Sequence, residues 1–168
     1  RNVRHCRYLT TENYLPEYED RTYDLDDVQS VDFVVVPFSG MPVLAHTMLS
    51  FGFADGRYLA VSVEVRKEKG ESFGIAKGFT NGYEIMYVAG DERDLIKLRT
   101  DYRLDDVYVY PTRATPEQAR EMLLSVAARM NQLAKQPEFY NTLANNCTSN
   151  IVDHINQLHP GRVPIDYR

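Results

Sequence analysis

Cysteine is scarce in this chain of 168 residues, which has only Cys6 and Cys147. Two thiols cannot build a disulfide framework; at most a single Cys6–Cys147 bridge closes, and only in an oxidising compartment. No CxxC pair or Cys/His cluster has zinc spacing, so no metal is expected. The glycines match neither a P-loop nor a dinucleotide fingerprint, and no cofactor is expected either. Long apolar runs are missing as well. The longest, 33–38, falls far short of the ~20 residues that span a bilayer. No basic stripe tracks along the chain, which argues against nucleic acid as a partner.

What is present is an ordinary globular composition, 43% hydrophobic and 26% charged, in a length that suits one domain over 1–168. The net charge of −5 is uneven. Residues 12–27 hold seven acids against Arg21 alone, so the rest of the chain is about neutral. The chain opens at Arg1 without an initiator Met, a charged n-region or an apolar h-region, which reads as a polypeptide already trimmed of its targeting segment.

Residues 1–27 lack periodicity and read as an extended arm anchored by its aromatics. The segment 31–111 is mainly strands: a β-branched run over 31–38, strands over 43–53 and 58–66 joined by Ala54-Asp55-Gly56, then 83–89 and 106–110, with a short charged helix near 91–97. From 115 to 159 the pattern turns helical. Thr115 as N-cap, Pro116 at the first helical position and Gln118 closing a capping box start a long amphipathic helix that ends before Pro137. A second helix begins at Asn146, with Ile151, Val152, Ile155 and Leu158 inward. The fold class is α+β: an antiparallel sheet of about five strands with helices packed on it.

Chemistry concentrates at Cys147, inside Asn145-Asn146-Cys147-Thr148-Ser149-Asn150 at the start of the last helix. A thiol in a first helical turn meets the positive end of the macrodipole and outward backbone N–H groups, which favour thiolate and stabilise an oxyanion. Polar neighbours on both sides set Cys147 apart from a thiol that merely fills a core. A nucleophile needs a base. Of four histidines, His5 lies in the arm, and His154 and His159 read as surface groups. His46 lies within a strand that can aim its ring.

The hairpin then supplies a third residue. Apolar Leu59, Val61, Val63 and Val65 must oppose apolar Leu49, Phe51 and Phe53, so odd residues pair with odd and even with even. A three-residue loop with Gly56 in the left-handed conformation pairs Phe53 with Arg57 and carries His46 opposite Glu64. Glu64 there either fixes the imidazole tautomer or is an ordinary residue, in a cross-strand ion pair or exposed to solvent. Cys147, His46 and Glu64 are the candidate catalytic residues. Tyr140, Asn141 and Asn146 are oxyanion or substrate candidates together with the backbone N–H of Cys147, and Arg66 is a candidate for the substrate rim. The acids Asp91, Glu92 and Asp94 read as helix-start residues serving the dipole. Phe51, Phe53, Phe73, Ile75 and Phe79 line either an apolar groove or the core.

The order of base strand, orienting strand and thiol helix is the reverse of papain and is similar to the circularly permuted papain-like arrangement of NlpC-like relatives and lecithin retinol acyltransferase. The resemblance sharpens on Asn2-Val3-Arg4, Tyr18-Glu19-Asp20-Arg21-Thr22-Tyr23, Ala45-His46-Thr47-Met48-Leu49-Ser50-Phe51-Gly52-Phe53, Ser62-Val63-Glu64-Val65-Arg66-Lys67-Glu68-Lys69-Gly70-Glu71-Ser72 and Glu138-Phe139-Tyr140-Asn141-Thr142-Leu143-Ala144-Asn145-Asn146-Cys147-Thr148. Across nearly the whole chain these strings resemble the periplasmic domain of Lnb-type bacterial lipoprotein N-acyltransferases. That resemblance implies an envelope enzyme, periplasmic and associated with the membrane surface, with Cys147 as nucleophile and His46 as base. Its implied partners are a phospholipid acyl donor and a lipoprotein acceptor. Such sequences continue past the end of this one, so a membrane-facing C-terminal portion is expected beyond it. Cys6 has no family role. Two other classes use the same features: an envelope cysteine hydrolase, an amidase or peptidase with water as acceptor, and a non-catalytic envelope-binding domain in which Cys147 is structural.

Overall fold

A computed structural model of the chain describes residues 1–67, 77, 78 and 80–164, without the side chains of 41–43. Its contacts divide the chain into two compact units, Arg1–Ser62 with Val88–Arg120 and Val63–Tyr87 with Glu121–Arg168. The fold is mixed α+β, with a mostly antiparallel sheet.

The first unit is built on a long antiparallel pair. β5 (Val28–Phe38) and β6 (Met41–Phe53) form a ladder from Val28↔Phe53 to Phe38↔Met41. A register shift falls at Pro37/Phe38, where proline lacks the N–H that a regular ladder requires. The edge strand β9 (Tyr108–Pro111) pairs with β5. On the other side β6 pairs with β7 (Tyr58–Arg66), from Gly52↔Tyr58 to Met48↔Ser62. This is the register that the apolar faces require. The turn obeys it: Gly56 has φ +81° and donates to the Phe53 carbonyl at 2.9 Å, while Phe53 N–H donates to Arg57 at 3.0 Å. Phe51, Met48, Val34 and Val28 are all but sealed from solvent, so alternation along these strands makes the core.

The arm is not featureless. Two-residue strands β1 (Val3–Arg4) and β4 (Tyr18–Glu19) pair with each other, and Arg4 pairs in parallel with Gly90 of β8 (Tyr83–Gly90). Strands β2 (Arg7–Tyr8) and β3 (Tyr14–Leu15) form a separate ribbon. The main sheet runs β4-β1-β8-β7-β6-β5-β9, and β10 (Phe139–Tyr140) adds to β8. Among the described residues it therefore holds eight strands where about five were expected. The extra three are two residues long, too short to show any period in sequence.

Helices match the capping signals. α1 (Glu92–Leu95) is capped by Asp91 and is followed by a π-turn over Leu98–Tyr102. α2 (Pro116–Lys135) starts in the expected box: Gln118 N–H donates to Thr115 Oγ1 at 3.3 Å and Thr115 N–H donates to Gln118 Oε1 at 2.9 Å. α3 (Cys147–Leu158) starts directly after Asn146. In the second unit Val63, Ile85, Leu133 and Cys147 form one buried cluster, with Tyr87 and Tyr140 packed against it.

Candidate active site

His46 lies on β6 two residues before Met48, the last residue of the regular β6–β7 ladder. It is buried, and its Nε2 lies 2.7 Å from Ser62 Oγ on β7. Ser62 is itself sealed from solvent. Serine both donates and accepts, so this contact holds the ring in either tautomer. Ser62 shares the even-numbered face of the strand with Glu64, but apolar pairing alone does not name it as a partner. Its place two residues before Glu64 on that face was the signal available.

Cys147 is the first residue of α3. Asn146 caps this helix: its Oδ1 accepts from Ser149 N–H at 2.9 Å, Ser149 Oγ accepts from Asn146 N–H at 2.8 Å, and its amide donates to the Thr142 carbonyl at 2.8 Å. Asn146 is thus a structural cap, and its box fixes where the helix begins. The backbone N–H of Cys147 sits in the first turn, where amides point out of the helix end. The expectation about surroundings needs correcting. The polar neighbours are spent on caps and turns, while Cys147 turns inward among Val63, Ile85 and Leu133. The sulfur therefore combines a helix N-terminus, which favours thiolate, with an apolar setting, which opposes it.

Tyr140 packs on the same cluster. Its hydroxyl is pushed up to about 12 by burial, then by the charge of Cys147, with Glu64 adding a smaller push against a bond to Thr142. It is accordingly protonated and a donor at neutral pH. Cys147 and Tyr140 thus share one cluster of the second unit. Asn141 Oδ1 accepts from the backbone of Leu143 and Ala144, and its amide donates to Asn81 at 3.0 Å. Arg66 is exposed and donates to Glu84 at 3.0 Å.

A polar network behind the thiol was not anticipated. His154, expected at the surface, is buried. Its Nδ1 faces Ser125 Oγ at 2.8 Å, its Nε2 faces Tyr87 OH at 3.0 Å, and Tyr87 OH donates to Asn150 Oδ1 at 3.0 Å. Asn150 in turn donates to Asn145 Oδ1 at 2.7 Å and to the Asn146 carbonyl at 2.9 Å. Burial, followed by the Arg129 charge, lowers His154 to about 4, so it is neutral. Counting only apolar residues as inward concealed it, although Cys147, Asn150 and His154 recur at i, i+3 and i+7.

Several other expectations change. The two cysteines are free, so no Cys6–Cys147 bridge exists. Asp94 lies in the first turn of α1 but does more than face the dipole: it is buried and accepts from Arg4 Nε and Nη2 at 2.9 Å each, Cys6 N–H at 2.7 Å and Tyr8 OH at 3.0 Å. Glu92 accepts from Ser50 at 2.5 Å, while Asp91 does cap the helix. Phe51 and Phe53 are core residues. Phe73, Ile75 and Phe79, named with them, lie outside the described residues. Among the described residues no cluster of His, Cys, Asp or Glu is arranged to hold a metal ion, and no helix is long and apolar enough to cross a membrane.

A mixed α+β domain with a capped cysteine helix after a largely antiparallel sheet is the class these elements define. Residues 14–168 match the family described as the Lnb N-terminal periplasmic domain, and the chain belongs to that family. Its domain is periplasmic. No curated protein and no solved structure shows significant similarity to the chain.

Proposed function

We propose that the chain is a thiol-dependent acyltransferase with a permuted papain-like arrangement, moving a fatty acyl group from phospholipid to the N-terminal amine of a lipoprotein. The observation that carries this reading is Cys147, the first residue of the Asn146-capped helix, beside the protonated phenol of Tyr140. Membership of the Lnb periplasmic-domain family supports it.

In the proposed reaction, the Cys147 thiolate attacks the ester carbonyl carbon. The tetrahedral oxyanion is held by the Cys147 backbone N–H and by Tyr140 OH. Its collapse breaks the ester C–O bond, the His46 imidazolium protonates the leaving alkoxide, and an acyl thioester remains on Cys147. The acceptor amine then attacks the thioester, His46 takes its proton, and the thiolate leaves as the amide forms. Ser62 Oγ, 2.7 Å from Nε2, orients the ring. Glu64 supplies negative charge that favours the imidazolium. Membrane association of the whole protein follows from a lipid donor.

Intact mass after incubation with phospholipid tests the reading. An acyl adduct, labile to hydroxylamine and absent in Cys147→Ser, is expected, and an N-terminal cysteine lipopeptide should discharge it onto its amine. Release of free fatty acid alone, or cleavage of a peptide, would instead indicate a hydrolase. A thiol that neither acylates nor alkylates near neutral pH would leave only a binding role.

A further inference from the structure

The first unit contains a cavity of about 490 Å³ between the N-terminal segment and α1, within the size range of small-molecule sites. Its acids are consumed inside the protein. Asp94 spends both oxygens on Arg4, Cys6 and Tyr8, and Asp91 caps α1 and accepts from Arg21 Nη1 at 3.1 Å. Of the cations lining the cavity, Arg7 is taken by Glu17 and Arg21 by Glu19 and Asp91.

Two cations on the rim are differently placed. Among the described residues the exposed Arg93 side chain has no carboxylate within ion-pair distance. Lys97, four residues on in the same helical stretch, reaches among the described residues only Asp101, at 4.0 Å, with both side chains about half exposed. Such a pair contributes little and is easily displaced. Positions i and i+4 share one helical face, so a guanidinium fork and a point-charge ammonium stand on the same rim. Tyr8 and Tyr102, with ring centroids 5.4 Å apart, form part of the wall. A carboxylate is matched by one arginine fork alone, whereas a phosphate, with more acceptor oxygens and spread charge, uses both donors.

We infer that this cavity is a binding site for a small phosphate-bearing anion, held at its rim by Arg93 and Lys97. The inference is independent of the acyl-transfer reading, and Cys147→Ser leaves it intact. Two sources carry this chemistry, a soluble phosphate ester and a phospholipid headgroup.

The full chain is titrated with sn-glycerol 3-phosphate by calorimetry at constant ionic strength. Co-sedimentation is measured with phosphatidylcholine vesicles with and without phosphatidylglycerol. Saturable binding of at least one probe is expected, weakened roughly tenfold or more in R93A/K97A and retained in R113A/R162A, whose exposed side chains do not line the cavity. Both variants replace exposed side chains, and unchanged circular dichroism and melting confirm their folding. Binding of glycerol phosphate in solution identifies a free ester, and binding confined to vesicles with phosphatidylglycerol identifies a headgroup; each supports the site. No saturable binding of either probe, full binding by R93A/K97A, or equal weakening in R113A/R162A overturns it.

Discussion

Ser62 Oγ lies 2.7 Å from His46 Nε2, and both residues are buried. A hydroxyl at that distance restrains the imidazole, so Ser62→Ala removes one hold on the ring at a cost of about 1 kcal/mol in stability. If His46 transfers protons to and from Cys147, the looser ring slows thioester formation by roughly tenfold, while Ser62→Thr, which keeps the hydroxyl, restores part of the rate. Single-turnover mass spectrometry reads both variants. An unchanged rate in Ser62→Ala would reduce Ser62 to packing.

His154 makes a pH prediction for the second unit. Its unfolded pKa is near 6.5, and burial, with Arg129 nearby, lowers it to about 4 in the fold. Between those values the unfolded chain binds the extra proton, so stability rises with pH across the window. The contribution of neutral His154 is fully present above about pH 6.5 and is lost as pH falls toward 4, a change of about 3 kcal/mol in all. Urea unfolding at pH 7 and pH 4.5 should show this loss in the wild type. His154→Gln should show a much smaller one, the carboxylates titrating alike in both proteins.

Asn146 separates helix stability from thiol chemistry. Asn146→Ala removes the cap on α3 and should cost about 1 kcal/mol. Asn146→Asp keeps a capping oxygen but sets a negative charge beside the first turn, where it disfavours a Cys147 thiolate. The expected pattern is a lower melting temperature with Ala and also with Asp, which keeps the cap but loses the donation to the Thr142 carbonyl, with slower iodoacetamide alkylation of Cys147 in the Asp variant alone. Equal alkylation rates in the wild type and Asp variant would show that the helix end does not govern this thiol.

Asp94 ties the first eight residues to the first unit through Arg4, Cys6 and Tyr8. Asp94→Ala leaves the Arg4 guanidinium without its partner and should destabilise by roughly 3–5 kcal/mol. The double variant Asp94→Ala/Arg4→Met removes the stranded charge and should recover part of that loss. Limited proteolysis near residues 1–8 and reactivity of the buried Cys6 with a disulfide reagent should both rise in Asp94→Ala.

These cases mark the limits of what pattern conveys. The strands β5 to β9, the Gly56 turn and the two capped helices were legible because each rests on local rules: a period of two, a period of 3.6, or a cap three residues from its partner. The Asp94 contacts span 86 to 90 residues of sequence, and no local rule links such positions. The site divides the same way. Cys147 at a helix start was legible from its cap-rich string, but whether Asn141 and Asn146 serve the chemistry or the backbone depended on which amides their oxygens meet. Asn141 Oδ1 meets the amides of Leu143 and Ala144, and Asn146 Oδ1 meets that of Ser149. His154 was misplaced because a polar residue on an inward face has no apolar signature.

Tyr140 gives the sharpest test of the oxyanion assignment. Its phenol stays protonated up to about pH 12 because it is buried next to Cys147, so at neutral pH it can donate a hydrogen bond but cannot act as a base. Tyr140→Phe keeps the ring against the cluster of Val63, Ile85 and Leu133 and removes only the hydroxyl, so melting should change by less than about 1 kcal/mol equivalent. A donor that meets charge only in the transition state affects kcat rather than KM. The expected result is a fall in kcat of roughly 10²-fold for acyl transfer, with KM for the lipid donor nearly constant and the rate of Cys147 alkylation unchanged. A proportionate loss in alkylation would move Tyr140 from the oxyanion to the thiolate, and a full kcat would leave the backbone N–H of Cys147 as the donor of this pair that the oxyanion uses.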